Sequence, residues 1–123
     1  MSLDISATRN ITNQSNINLV ENESTWEIEQ EAIFSLNITH NLNKMADAAG
    51  FYKQLWYLEG IETCEDLLPH IEQGILELES NPTKYKEFSA KNNWGTYEQF
   101  LPWLKDLAEK LKIEPKAELF VSR

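Results

Sequence analysis

Ala32, Phe34, Leu36 and Ile38 alternate with Glu31, Ile33, Ser35, Asn37 and Thr39. A period of two predicts a strand with one apolar face. Beyond Thr39 the period changes. Leu42, Met45, Ala46, Ala49 and Tyr52 recur at intervals of three and four, which predicts a helix. The stretch Asn37–Gly50 is therefore a strand-to-helix junction. Thr39 is the expected N-cap, with Asn41 able to serve the same way two residues later. One long helix from Thr25 is the competing reading, but Ile38, Thr39 and the asparagines around them propagate helix poorly. The helix is expected to reach Gly50 and to continue to Trp56 unless the glycine breaks or kinks it, since glycine costs a helix interior about 1 kcal/mol.

The same reading places a short strand over residues 3–9, a second at Ile17 and Leu19, and a third from Trp26 and Ile28 through Ile38. Asn/Ser/Thr-rich turns separate them. After Gly60 and Thr63, the residues Leu67, Leu68, Ile71, Ile75 and Leu78 form an apolar helical stripe ending near Ser80. Pro69 is expected in its first turn or at a bend. Asn81-Pro82 reads as an N-cap with proline at N1, opening a short turn that holds Tyr85 and Phe88. Thr96 and Gln99 match a capping box. Phe100, Leu101, Leu104, Leu107, Ala108 and Leu111 follow as the stripe of a last helix. Ala117, Leu119 and Val121 then alternate with polar positions and Phe120 in a closing strand.

These elements predict an α+β fold, a single domain over residues 1–123: a small antiparallel sheet of N-terminal strands plus the C-terminal strand, with three or four helices packed on one face. The last strand is expected beside the strand at 31–39, because both have one apolar face to cover. No stretch reads as an internal repeat, a low-complexity block or a linker. Phe34, Leu36, Leu42, Met45, Leu67, Ile71, Ile75, Leu104, Leu107 and Leu119 are the expected core.

Composition narrows the function classes. The net charge of −9 argues against nucleic acid or an anionic membrane as partner, because both demand basic surface. No stretch approaches the 18 or so apolar residues of a membrane span. There is no charged start followed by an apolar run, so no signal peptide is expected. The lone Cys64 allows no internal disulfide, and a cytoplasmic location follows as the default. Asn10, Asn13, Asn22 and Asn37 each begin an Asn-x-Ser/Thr triplet, read as a coincidence of asparagine richness.

The run Asn37-Ile38-Thr39-His40-Asn41-Leu42 with Met45-Ala46, the Asn81-Pro82 turn, Trp94-Gly95-Thr96-Tyr97 and the closing Val121-Ser122-Arg123 resemble a group of small uncharacterised bacterial proteins. The resemblance covers about residues 31–123. It implies one compact domain and no particular activity.

Chemistry-bearing residues are few. His40, flanked by Asn37 and Asn41 near a helix N-terminus, is the sharpest candidate for a base, a proton donor or a ligand hook. The plainer reading is a junction histidine bonded to backbone. His40, Cys64 and His70 lack the paired spacing of a metal site, so neither metal nor cofactor is expected. Cys64 reads as an inert thiol among Glu62, Glu65 and Asp66. Trp94 is placed to lid a pocket or to plug the end of the domain. From residue 60 to 83 the chain carries Glu62, Glu65, Asp66, Glu72, Glu77 and Glu79 without one Lys or Arg. Glu72 and Glu79, on the face opposite Ile71, Ile75 and Leu78, are the candidate surface for a basic protein partner. The sequence therefore favours a non-enzymatic interaction protein. A small-molecule-binding or hydrolytic domain around His40 and an acidic inhibitor of a basic protein are the alternatives. Oligomeric state is not legible.

Overall fold

β1 (Ser2–Ile11) forms the middle of a three-stranded antiparallel sheet, between β2 (Glu29–Thr39) and β3 (Glu118–Ser122). The structure, a computed structural model, describes residues 2–11 and 29–123. The strand expected at Ile17 and Leu19 and the start expected at Trp26 and Ile28 lie outside the described residues. Leu3, Ile5 and Ala7 of β1 are fully buried. Ile5 stands opposite Leu36 on one side and Val121 on the other, and Ala7 opposite Phe34 and Leu119. The closing strand thus borders β1, not the strand at 31–39 as expected. Alternation identifies which face of a strand is apolar and is silent on its neighbour. The opposite face of the sheet carries Asp4, Ser35, Asn37, Glu118, Phe120 and Ser122, all exposed.

The apolar alternation of β2 breaks at one place. Ala7 pairs with Phe34 but Thr8 pairs with Ala32, leaving Ile33 as an extra residue in β2. This is a β-bulge. Ala32, expected on the core face with Phe34, is exposed instead, and Ile33 packs against the core.

Thr39 caps the junction as expected, its hydroxyl accepting from the Asn41 amide at 3.4 Å. What it opens is a single 3-10 turn, His40–Leu42, which leads into α1 (Asn43–Ala48). Asn41 caps no helix; Leu42 holds the N-cap position of α1. Gly50, at φ +91°, ends that segment, and α2 (Tyr52–Tyr57) starts afresh.

α3 (Cys64–Ser80) and α5 (Tyr97–Ile113) are the two long helices, with the short α4 (Pro82–Lys86) between them. The structure describes five α-helices where three or four were expected, because Gly50 divides one and Asn81-Pro82 starts another. Asn81 does not cap α4 through its side chain, which instead donates to the Glu77 carbonyl at 3.3 Å. Pro69 lies beyond the first turn of α3, at its sixth residue.

Pro102 is likewise the sixth residue of α5, and the correspondence goes further. Thr63, Glu65, Leu68, Pro69, Leu78 and Pro82 recur 33 positions on as Thr96, Glu98, Leu101, Pro102, Leu111 and Pro115. Both helices have 17 residues, and each is preceded by a capping threonine. Three residues before each cap the backbone has positive φ, at Gly60 and Asn93. The two helices share their framework at these six positions. Between them the charges are reversed: exposed Glu72 and Glu79 and half-buried Glu77 correspond to Lys105, Lys112 and Lys110.

The two helices pack antiparallel, Glu79 meeting Lys105 at 2.8 Å and Glu72 meeting Lys112 at 3.9 Å. The expected core residues share one cluster, Leu36 and Ile75 at its margin. Burying each such side chain contributes about 1.5–3 kcal/mol. Gly74 of α3 permits a close approach. A Cβ there would lie 2.5 Å from two carbons of the Phe51 ring, so that ring occupies the space a side chain would take.

Candidate functional site

The junction residues do not converge on one cavity; each is tied to a different part of the fold. Asn37 points across the open face of the sheet, donating to Ser2 at 3.0 Å and to Asp4 at 2.5 Å. His40 is half-buried, and its Nδ1 accepts from the Trp56 indole N–H at 3.0 Å. Nδ1 is thus an acceptor, which in the neutral ring assigns the proton to Nε2. The histidine is fixed by a side chain of α2, not by backbone as the plainer expectation had it. Asn41 donates from Nδ2 to the carbonyl of Trp94 at 2.9 Å. Of the residues singled out in the sequence, Asn41 and Trp94 meet, whereas Asn37 and His40 have other partners.

That contact fixes the loop ahead of α5. The Trp94 amide donates to Asn92 Oδ1 at 3.0 Å. The Ala90 amide donates to the Gly95 carbonyl at 2.9 Å. Gln99 reaches back from the first turn of α5, accepting from the Gly95 and Thr96 amides at 3.0 and 3.1 Å and donating to the Asn93 carbonyl at 3.2 Å. Gly95, at φ +102°, leaves room for the junction to pack against it: a Cβ would sit 3.0 Å from that of Asn41 and 3.2 Å from a Thr39 methyl carbon. The backbone around Trp94 is therefore held on both sides. Its side chain is 71% exposed, neither lidding a pocket nor plugging the core.

A second surface group grows from Trp56. Tyr52 packs on the Trp56 ring at 5.4 Å between centroids and meets Tyr57 edge-on at 5.6 Å. The Arg123 guanidinium lies 4.0 Å above the Tyr57 ring. The Tyr52 hydroxyl makes a long 3.4 Å bond to Tyr57, and this bond, with burial, raises its pKa above the usual value. The sequence did not single out Tyr57 and named Arg123 only within the closing Val121-Ser122-Arg123 pattern, because the fold alone brings that residue onto α2.

The remaining candidates are accounted for locally. Cys64 is buried, and desolvation pushes its thiol up to about 11, which leaves little thiolate at neutral pH. No group of three or more His, Cys, Asp or Glu is placed to hold a metal among the described residues. No helix there is long and apolar enough to cross a membrane. Glu72 and Glu79 are exposed as expected, but their bases come from α5. Glu65 is likewise met by Lys116 at 2.8 Å. The acidic run therefore needs no outside cation to balance these three carboxylates.

No protein-family model, no curated protein and no solved structure matches this chain.

Proposed function

We propose that this chain is a non-enzymatic interaction protein and that Trp94 is the anchor of its recognition surface. The observation that carries the reading is an exposed tryptophan on a loop whose backbone is fixed on both sides by hydrogen bonds. Tryptophan heads the residues that dominate binding energy at interfaces. An anchor already held in place loses less conformational freedom on binding than one on a loose loop. Asn41 is the positioning residue, because its amide holds the Trp94 carbonyl. The net charge of −9 supports a basic protein as the partner, steered to the surface in a salt-dependent way.

The test compares proteins retained by the immobilised chain with those retained by Trp94→Ala. Because the side chain faces solvent, the variant should melt with the wild type. A partner anchored by Trp94 should be retained about tenfold less or worse, the usual loss at an interface hot spot. Asn41→Ala should produce a smaller loss of the same partner. Identical retention by Trp94→Ala would refute the reading.

A further inference from the structure

His40 and Trp56 meet edge-on across the break at Gly50, their ring centroids 6.0 Å apart and their planes at 73°. The indole is fully buried and the imidazole half-buried. Nδ1 of His40 accepts from the indole N–H at 3.0 Å. Among the described residues, Trp56 is the sole side-chain partner of that imidazole. The bond ties the turn at the end of β2 to α2.

That bond requires a neutral imidazole. A neutral ring has one acceptor nitrogen, whereas in an imidazolium both nitrogens carry hydrogen and neither accepts. Turning the ring over restores nothing, because the other nitrogen is a donor too. With a proton on Nδ1, two N–H groups would point at one another across 3.0 Å, a separation that suits a donor with an acceptor. Nor does a neighbouring carboxylate hold the charged ring in place. The ionisable groups on the elements around the turn are Asp4 at the near end of β1, Lys44 and Asp47 on α1, and Tyr52, Lys53 and Tyr57 on α2, with Arg123 over Tyr57. Among the described residues, none of them is ion-paired or hydrogen-bonded to the His40 ring. Asp4 is bonded to Asn37 and Tyr52 to Tyr57.

We propose that the His40–Trp56 bond is a proton-operated latch: protonation of His40 breaks it and releases the junction turn from α2. Opening leaves the buried indole N–H without its acceptor. A buried donor in that condition is disfavoured, so water must enter beside Trp56 or the turn must move. The imidazolium swings toward the solvent that the half-buried ring already touches. The latch is closed only while the ring is neutral.

Nuclear magnetic resonance of the intact chain tests this, followed from about pH 8 down to acid unfolding, through the range in which histidine ordinarily changes charge. The His40 ring signals and the Trp56 indole N–H signal should move together along one titration curve. With His40 charged, the Trp56 indole N–H should exchange with solvent about tenfold faster, the equivalent of one net hydrogen bond. The indole of exposed Trp94 corrects for the intrinsic effect of pH on exchange. His40→Asn keeps an acceptor near the position of Nδ1 and does not titrate, so its Trp56 signal should stay constant. A His40 ring that becomes charged while the Trp56 signal stays fixed would overturn the proposal. So would a ring that remains neutral until the protein unfolds, or a Trp56 titration that persists in folded His40→Asn. If that variant does not fold, the wild-type curves decide, since both signals are read in one sample.

Discussion

α3 and α5 follow one plan and differ where they meet their surroundings. At the start of each, one side-chain oxygen accepts from two consecutive amides: Asp66 from Glu62 and Thr63, both at 3.1 Å, and Gln99 from Gly95 and Thr96 at 3.0 and 3.1 Å. Inside, Ile71 corresponds to Leu104 and Leu78 to Leu111, all fully buried. The differences fall into three kinds. The cap is charged in one helix and neutral in the other, the solvent stripe has opposite signs, and Gly74 stands where α5 has Leu107. The pattern of the helix resides in caps, prolines and apolar spacing. The residues that differ decide what each helix touches.

The largest test of this comparison is in the core. Ile71→Ala and Leu104→Ala remove equivalent side chains and should each cost about 2–5 kcal/mol. Thermal or denaturant unfolding would measure the loss. A large effect at one position alone would mean that the shared plan does not extend to packing.

Gly74→Ala should come next, because there the helices differ most. In an isolated helix, alanine in place of glycine is worth about 1 kcal/mol of stability. Here the added carbon meets the Phe51 ring at 2.5 Å, and overpacking of this kind typically costs about 1–3 kcal/mol. The net sign should be destabilising. Gly74→Ala should be partly rescued in combination with Phe51→Leu, a coupling that a double-mutant cycle would detect. At Leu107 the opposite holds: Leu107→Gly should destabilise by opening a cavity.

Removal of a cap should cost less. Thr96→Ala and Thr63→Ala should each lower stability by about 0.5–2 kcal/mol. The smallest effect separates the two caps by pH. The backbone amides of Glu62 and Thr63 hold the Asp66 carboxyl below its usual pKa. A carboxylate whose pKa is depressed on folding contributes stability above its unfolded value, and that contribution is lost as pH falls through the folded value. Amide exchange at Glu62 and Thr63, after correction for its intrinsic pH dependence, should rise in acid. At Gly95 and Thr96 it should not, because Gln99 does not titrate. Asp66→Gln should erase the difference.

Much of this comparison was legible in residues that act locally. The Thr96–Gln99 capping box, the apolar stripes and the proline after each long helix all obey spacing rules over a few positions. Thr39 was legible as a cap for the same reason. The likeness of the two long helices is harder to see, because reversed charges at Glu72/Lys105 and its companions mask the shared positions. The partner of His40 was not legible: Trp56 lies beyond the break at Gly50, and no helical spacing joins the two. The bulge at Ile33 left alternation intact in sequence while changing which residues face the core. Strand order depends on how the closing segment returns, which the alternation of Leu119 and Val121 cannot specify. The candidate site was legible as residue types, and its dispersal among three tertiary contacts required the fold.

The extra residue at Ile33 has a consequence for aggregation. β2 is an outer strand, and a long flat outer strand offers unpaired amides and carbonyls as a template for another chain. The bulge bends β2 and increases its twist, spoiling that template near the middle of the strand. On the other border, the Leu119 amide donates to the Glu62 carbonyl at 3.1 Å and Thr63 bridges to Glu118, so the first half of β3 is already occupied. Among the described residues, neither border of the sheet presents an unbroken full-length ladder for a further strand. A strand added to the described sheet would therefore meet a bulge at one border and an occupied half-strand at the other.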